Sequence, residues 1–235
     1  NADNAIDMAH MTLCPLPFES CMVDDCMKRG KSIQEGGAVY NFTGPQGFGI
    51  ANVADSLYTV KKLVYEDKKV TISELKKALE MNFGQGFDAI TAKEVALQVA
   101  ESLKEQGKEV TPDIIAMTIK NVLTMELPAK EKARYEEIRD MIDELPKFGN
   151  DIDEVDMLAR DAAYTYTKPL ETFKNPRGGI FQAGLYPVSA NVPLGAQTGA
   201  TPDGRLAHMP VADGVSPSSG KDVNGPTAAC NSVAK

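Results

Sequence analysis

Apolar residues recur at intervals of three and four through most of this chain, which is the spacing that gives a helix one apolar face. Ile50, Val53, Leu57, Val60 and Val64 predict an amphipathic helix over 49–66. Thr71-Ile-Ser-Glu74 has the form of a capping box. Its hydroxyl accepts from the third helical amide while the glutamate reaches back, so a helix should start there with Ile72, Leu75 and Leu79 inward. Thr91-Ala-Lys-Glu94 repeats the device ahead of Val95, Val99 and Leu103. Thr111-Pro112 sets a cap and a first-turn proline before Ile115, Ile119 and Val122. Tyr135, Ile138, Ile142 and Leu145 mark one stripe of a further helix, and Asp151-Ile-Asp-Glu154 opens a last long one reaching about Phe173.

Strand signals are confined to two places. Ala38-Val-Tyr-Asn-Phe-Thr43 is β-prone and bounded by glycine pairs and proline, and 180–190 is the second segment. Pro187 lacks a ladder donor, so a bulge is expected there. Helices separating isolated strands predict an α/β arrangement with parallel strands. The last forty residues read as stacked turns rich in Gly, Pro, Asp and Asn, with no closing helix before Lys235.

Composition narrows the function. The chain has 235 residues, 43% hydrophobic and 25% charged, as in an ordinary globular protein. A net charge of −8, with lysines interleaved among glutamates, argues against a nucleic-acid partner. Apolar runs of only a few residues argue against a membrane span. The opening residues carry no signal-peptide pattern. Cys14, Cys21, Cys26 and Cys230 form no metal-binding spacing with His10 or His208, so no metal site is expected. Reduced thiols, buried or half-buried, fit a cytoplasmic setting.

Gly44-Pro-Gln-Gly-Phe-Gly49 lacks the Lys-Ser/Thr of a phosphate loop and reads as a structural turn into a helix. Asp203 with Arg205 is expected to pin its loop, and Asn150 with Asp151 to cap a helix. Asp24-Asp25 and the Lys/Glu runs at 101–109 and 130–140 are expected to be solvated.

Four blocks share an order and spacing: 36–49, Lys147-Phe-Gly-Asn-Asp151, Thr198-Gly-Ala-Thr-Pro-Asp-Gly-Arg205 and Ala212-Asp-Gly-Val-Ser-Pro217. Together they resemble the glycyl radical enzymes, the pyruvate formate-lyase-like family, over nearly the whole chain apart from about 85–130. The run from Phe181 to Gly199 most resembles the choline trimethylamine-lyase branch. The family implies part of an α/β barrel, here helix-rich with few strands. Residues 1–235 are then a single internal fragment of the catalytic domain, and 91–126 a helical insertion.

The resemblance implies a glycyl radical as cofactor, generated by a radical-SAM activating enzyme and relayed through a cysteine to the substrate. It implies carbon–nitrogen cleavage of choline, with a glycerol or propanediol dehydratase or a sulfite-releasing lyase as the alternative, and a noncatalytic helical scaffold as an alternative of another class. It also implies a homodimer, with a bacterial microcompartment as a location besides the open cytoplasm. No Gly-Cys-Val-Glu loop and no Arg-Val-x-Gly-Tyr loop is present, so both are expected outside the chain, which by itself should be inert. No catalytic residue is assigned within it. On the strand at 180–190, Tyr186 and Val188 share a face and are the expected substrate-lining residues, Tyr186 as one aromatic wall; a barrel-core role for Tyr186 is the competing reading.

Overall fold

The computed structural model describes residues 2–87 and 89–235, and 55% of the chain is helical with almost no strand. The helices are α1 (Ala2–Leu13), α2 (Pro17–Cys21), α3 (Cys26–Arg29), α4 (Ile50–Thr59), α5 (Ile72–Glu80) and α6 (Ala89–Glu105). They continue as α7 (Pro112–Leu123), α8 (Ala129–Asp143), α9 (Asp153–Leu170), α10 (Asn191–Ala196) and α11 (Pro226–Ala234). Contacts divide the chain into two compact units, Asn1–Gly47 with Asp161–Tyr186, and Phe48–Arg160 with Pro187–Lys235.

In the first unit the two predicted strand segments do pair, in parallel, but only as isolated bridges at Thr43–Phe181 and Gln46–Gly184. The pairing lies over 43–47 instead of 38–43. Side chains explain the shift: Asn175 Nδ2 donates to Asn41 O at 2.7 Å and Arg177 Nη2 to Phe42 O at 3.0 Å, occupying the carbonyls a ladder would use. Beyond Gly184, whose carbonyl accepts from Gly47 N at 2.8 Å, no bridge forms, so the bulge expected at Pro187 is absent. Helix α1, for which the sequence pattern gave no signal, has no buried residue.

The second unit holds a core of Leu63, Val70, Leu75, Ala78, Phe83, Tyr135, Ile138 and Ile142. The Thr71–Glu74 capping box is formed as expected, with Thr71 Oγ1 accepting from Glu74 N and Thr71 N donating to the Glu74 carboxylate, both at 3.1 Å. Its inward residues are Leu75 and Ala78, while Ile72 is exposed. Thr111 caps α7 by accepting from Ile114 N, with Pro112 in the first turn. Helix α6 begins two residues ahead of the box predicted at Thr91, and its buried stripe is Ala92, Ala96 and Ala100 in place of Val95, Val99 and Leu103. Alanines let α7 approach closely, whereas branched side chains would hold it off.

The largest departure concerns α4. Its buried face carries Ile50, Ala51, Asn52, Ala54, Asp55, Tyr58 and Thr59; of the predicted stripe Ile50 is buried and Val60 and Val64 pack on the core, while Val53 and Leu57 are about half exposed. Asn52, Asp55 and Tyr58 thus reach partners from the inward face, while the Thr59 hydroxyl is buried there without one. The helix continues as a π-helix over Val60–Glu66, with Asp67 N donating five residues back to Lys62 O at 2.8 Å. The C-terminal turns are likewise interrupted by α11, where Pro226 takes the first helical position, as its missing N–H allows.

A Cβ on Gly179 would lie 1.4 Å from Asn41 O, while one on Gly178 would meet nothing within 4 Å. Gly179→Ala is expected to lower unfolding free energy by about 3 kcal/mol or more through overpacking. Gly178→Ala, strained only by its positive φ, should cost about 1 kcal/mol. Denaturant titration of the protein carrying this chain measures both.

Candidate functional site

Helix α4 enters the second unit from Gly49, whose φ of 77° is a left-handed conformation that suits glycine. One turn in, Asn52, 7% exposed, uses its whole amide. Its Nδ2 donates to Asp203 Oδ2 at 2.6 Å and to Ser218 Oγ at 3.2 Å, and its Oδ1 accepts from Ala212 N at 2.7 Å. Gly49 N donates to Ala212 O at 2.8 Å. Three points of the turn-rich segment 203–218 are therefore tied to the first turn of one helix.

Asp55, one turn further and 1% exposed, accepts Phe148 N at 2.8 Å on Oδ1. Its Oδ2 has no partner. The 147–150 loop it holds is itself bonded onward: Lys147 Nζ donates to Ile142 O at 2.8 Å and Asp203 O at 3.2 Å. Asn150 donates to Lys221 O at 2.8 Å and accepts from Asn224 N at 3.0 Å, so it braces two loops and does not cap α9 as expected. Asp203 and Arg205 do pin their loop, but through Thr201: its hydroxyl donates to Asp203 Oδ1 and accepts from Arg205 Nε at 3.1 Å. The Arg205 guanidinium then closes on the carbonyls of Gly199, Leu206 and Met209.

These residues border a cleft of about 760 Å³ whose lining includes Asn52, Asp55, Arg139, Asn191, Asp203 and Lys221. Burial raises Asp55 to about 7, against the pull of the Phe148 amide and the Lys147 charge. Burial likewise lowers Lys147 below its ordinary value. An acid raised to about 7 by burial changes charge near neutrality, and its second oxygen is buried without a partner.

A second polar cluster lies at the start of α9. The ligand oxygens of Asp151, Asp153 and Asp156 lie within 4.8 Å of one another. The ammonium of Lys235 sits among them, 2.7 Å from Asp151 Oδ1 and 3.2 Å from Asp156 Oδ2, and bonded to Asp153. This lysine takes the place a cation would fill. Asp151, with a left-handed φ of 58° and its carboxylate held by Asn231 and Lys235, stands upstream of the helix, and Ile152 O accepts the first amides, from Val155 and Asp156. The cap predicted at Asp151 therefore moves one residue on.

Tyr186 is the last residue of the first unit and 55% exposed; its ring lies against Gly184, where an added Cβ would come within 2.8 Å of Tyr186 Cε1. Val188, 37% exposed, belongs to the second unit, and its carbonyl accepts from Asn191 N at 3.5 Å. All four cysteines are free thiols; Cys26 is buried, but Cys14, Cys21 and Cys230 are exposed, against the expectation of burial. None stands two residues before a glutamate. Asn52 and Asp55 were not singled out by sequence; the available signal was two strongly polar residues between the alanines and aliphatic residues of the helix's first turns.

The Asp55 proton gives a pH dependence. Its folded value lies above the unfolded 3.8, so the folded state binds more proton between about pH 4 and 7 and stability falls as pH rises through that window. Asp55→Asn keeps the acceptor for Phe148 N–H and removes the titration. Thermal melts from pH 4 to 8 should show a flatter profile for the variant, which gains on the parent toward pH 8 by up to about 4 kcal/mol.

The pyruvate formate lyase-like family profile matches residues 1–195. A structure described as 1,2-propanediol dehydration in Roseburia inulinivorans superposes with a TM-score of 0.91 at 76% identity, covering 99% of this chain and 28% of that one. The B12-independent glycerol dehydratase from Clostridium butyricum, with glycerol bound, superposes with a TM-score of 0.71 at 48% identity, covering 99% and 23%. The probable dehydratase YbiW of Escherichia coli (strain K12) is 38% identical over 96% of this chain and 22% of its own length. The chain thus spans between about a fifth and a little over a quarter of these relatives. The helix-rich slice with its sparse parallel pairing is part of the same barrel. Four motif blocks, the matched profile and the shared fold agree, and the chain belongs to the pyruvate formate-lyase-like glycyl radical enzymes.

Proposed function

We propose that the protein carrying this chain is a glycyl radical dehydratase that removes water from a short vicinal diol, 1,2-propanediol or glycerol. The observation that carries this reading is the 76% identity, over 99% of the chain, to the structure described as 1,2-propanediol dehydration. The 48% identity to a glycerol dehydratase points the same way. Carbon–nitrogen cleavage of choline, suggested by the 181–199 run, has less support, since the relatives named above are dehydratases.

The radical that abstracts hydrogen is borne on residues outside this chain, and no chemical step is assigned to the residues described. Their part is to bind and orient. Tyr186, in the first unit, offers an aromatic wall with a hydroxyl at its tip, and Val188, taken separately in the second, an apolar contact; each by itself suits part of a short diol. Dryness around such a substrate strengthens every polar contact made to it. The reading includes a radical-SAM activating enzyme, a homodimer and a cytoplasmic or microcompartment setting, and treats 91–126, which holds α7 and most of α6, as an insertion.

Anaerobic activation of the protein followed by product analysis tests the reading. Propanal from 1,2-propanediol, or 3-hydroxypropanal from glycerol, is expected. Trimethylamine from choline with no aldehyde from either diol would replace it with the lyase. In the active protein, Tyr186→Ala should raise the diol KM about tenfold, the worth of one good aromatic contact.

A further inference from the structure

Asn191 links α10 to the residues that Asn52 holds. Its Nδ2 donates to Val211 O at 3.0 Å, and its carbonyl accepts from Val211 N at 3.4 Å. The same residue closes the turn behind Val188, donating its amide to Val188 O, while Val192 N donates to Ser189 O at 3.2 Å. A second clamp lies one turn on: a Cβ at Gly195 would be 2.3 Å from Met209 O, so α10 and the 209–211 backbone are in direct contact. Next along the chain, Ala212 is fixed on both sides of its peptide unit, its N–H by Asn52 Oδ1 and its carbonyl by Gly49 N. Asn52 is in turn fixed by Asp203 and Ser218.

Hydrogen bonds joined through the Val211–Ala212 peptide link therefore run from the first turn of α4, through Ala212, Val211 and Asn191, to the carbonyl of Val188. Every member lies in the second unit. A buried amide with its donors and acceptor all engaged cannot rotate without leaving a polar group unpaired, which makes it a rigid origin for such a series.

We infer that Asn52 and Asn191 are positioning residues that set where Val188 stands, so that the first turn of α4 governs substrate fit at a distance from the substrate. The inference rests on the proposed role of Val188 as a substrate-lining residue. The path itself does not depend on that role and can be tested apart from it.

Two measurements on the protein carrying this chain separate these parts. Amide hydrogen exchange, read by mass spectrometry, follows the path. Asn52→Ala is expected to speed exchange not only at 211–212 but also at 191–192, by about threefold to tenfold, the equivalent of one hydrogen bond. Acceleration confined to 211–212 would overturn the relay. Should Asn52→Ala fail to fold, Asn191→Asp serves instead: it is half-buried, keeps the side-chain shape and removes the donor to Val211 O. Faster exchange at 191–192 and 211 is expected, and unchanged exchange at both would overturn the relay. Steady-state kinetics follow the consequence. Asn191→Asp should raise the diol KM about threefold to tenfold with kcat changed less, whereas a merely stabilising role would leave KM alone and lower the melting temperature. If the parent protein turns over no diol, the dehydratase reading fails and the exchange data still decide the relay.

Discussion

The complete engagement of one buried amide holds the second unit's loops in place. Asn52 meets a carboxylate, a hydroxyl and a backbone N–H drawn from three points of the segment 203–218. A long irregular segment has little regular hydrogen bonding of its own, and its buried peptide groups must find partners or forfeit desolvation energy. Helix α4 supplies those partners because its own backbone is satisfied within the helix and its side chains are free to reach out. Lys147 and Asn150 extend the same service to neighbouring carbonyls. The first unit solves the problem in the same way with Asn175, whose Nδ2 holds Asn41 O and Thr43 Oγ1 while its Oδ1 accepts from Arg177 N and Gly179 N. In each unit a buried asparagine ties loop backbone together, in the second beside the apolar core that its helices build.

This explains which features were legible in the sequence. The Thr71 box, the Thr111-Pro112 start and the Tyr135–Ile142 stripe were readable because each depends on residues within a turn or two of one another. The inward face of α4 was not. Its partners stand 93 to 166 residues away, and a periodicity reading takes Asn52, Asp55 and Thr59 for the wet side of the helix. The same limit applies to Asp151, which looks like a cap until Asn231 arrives from 80 residues downstream and Lys235 from further still. Family resemblance came from the glycine- and proline-rich blocks for a related reason. Turns constrain residue type tightly, so their sequences stay recognisable where helix faces do not.

Tyr186 and Val188 illustrate a different gap. Their assignment came from resemblance and strand alternation, yet pairing ends at Gly184, before either is reached. What locates Val188 instead is the turn into α10 and its bonds to Val211. Tyr186 rests against a glycine that leaves room for its ring.

The tether of α11 to the head of α9 has an asymmetry set by its chemistry. The three carboxylates bond to Lys235 and raise it above its ordinary value, so it keeps its charge further into alkali than a free lysine does. The same lysine, with Asn231, holds Asp151 below the usual carboxylate range. Acid strong enough to protonate Asp151 therefore weakens this contact, a fastening that loosens toward the acid side of the pH scale.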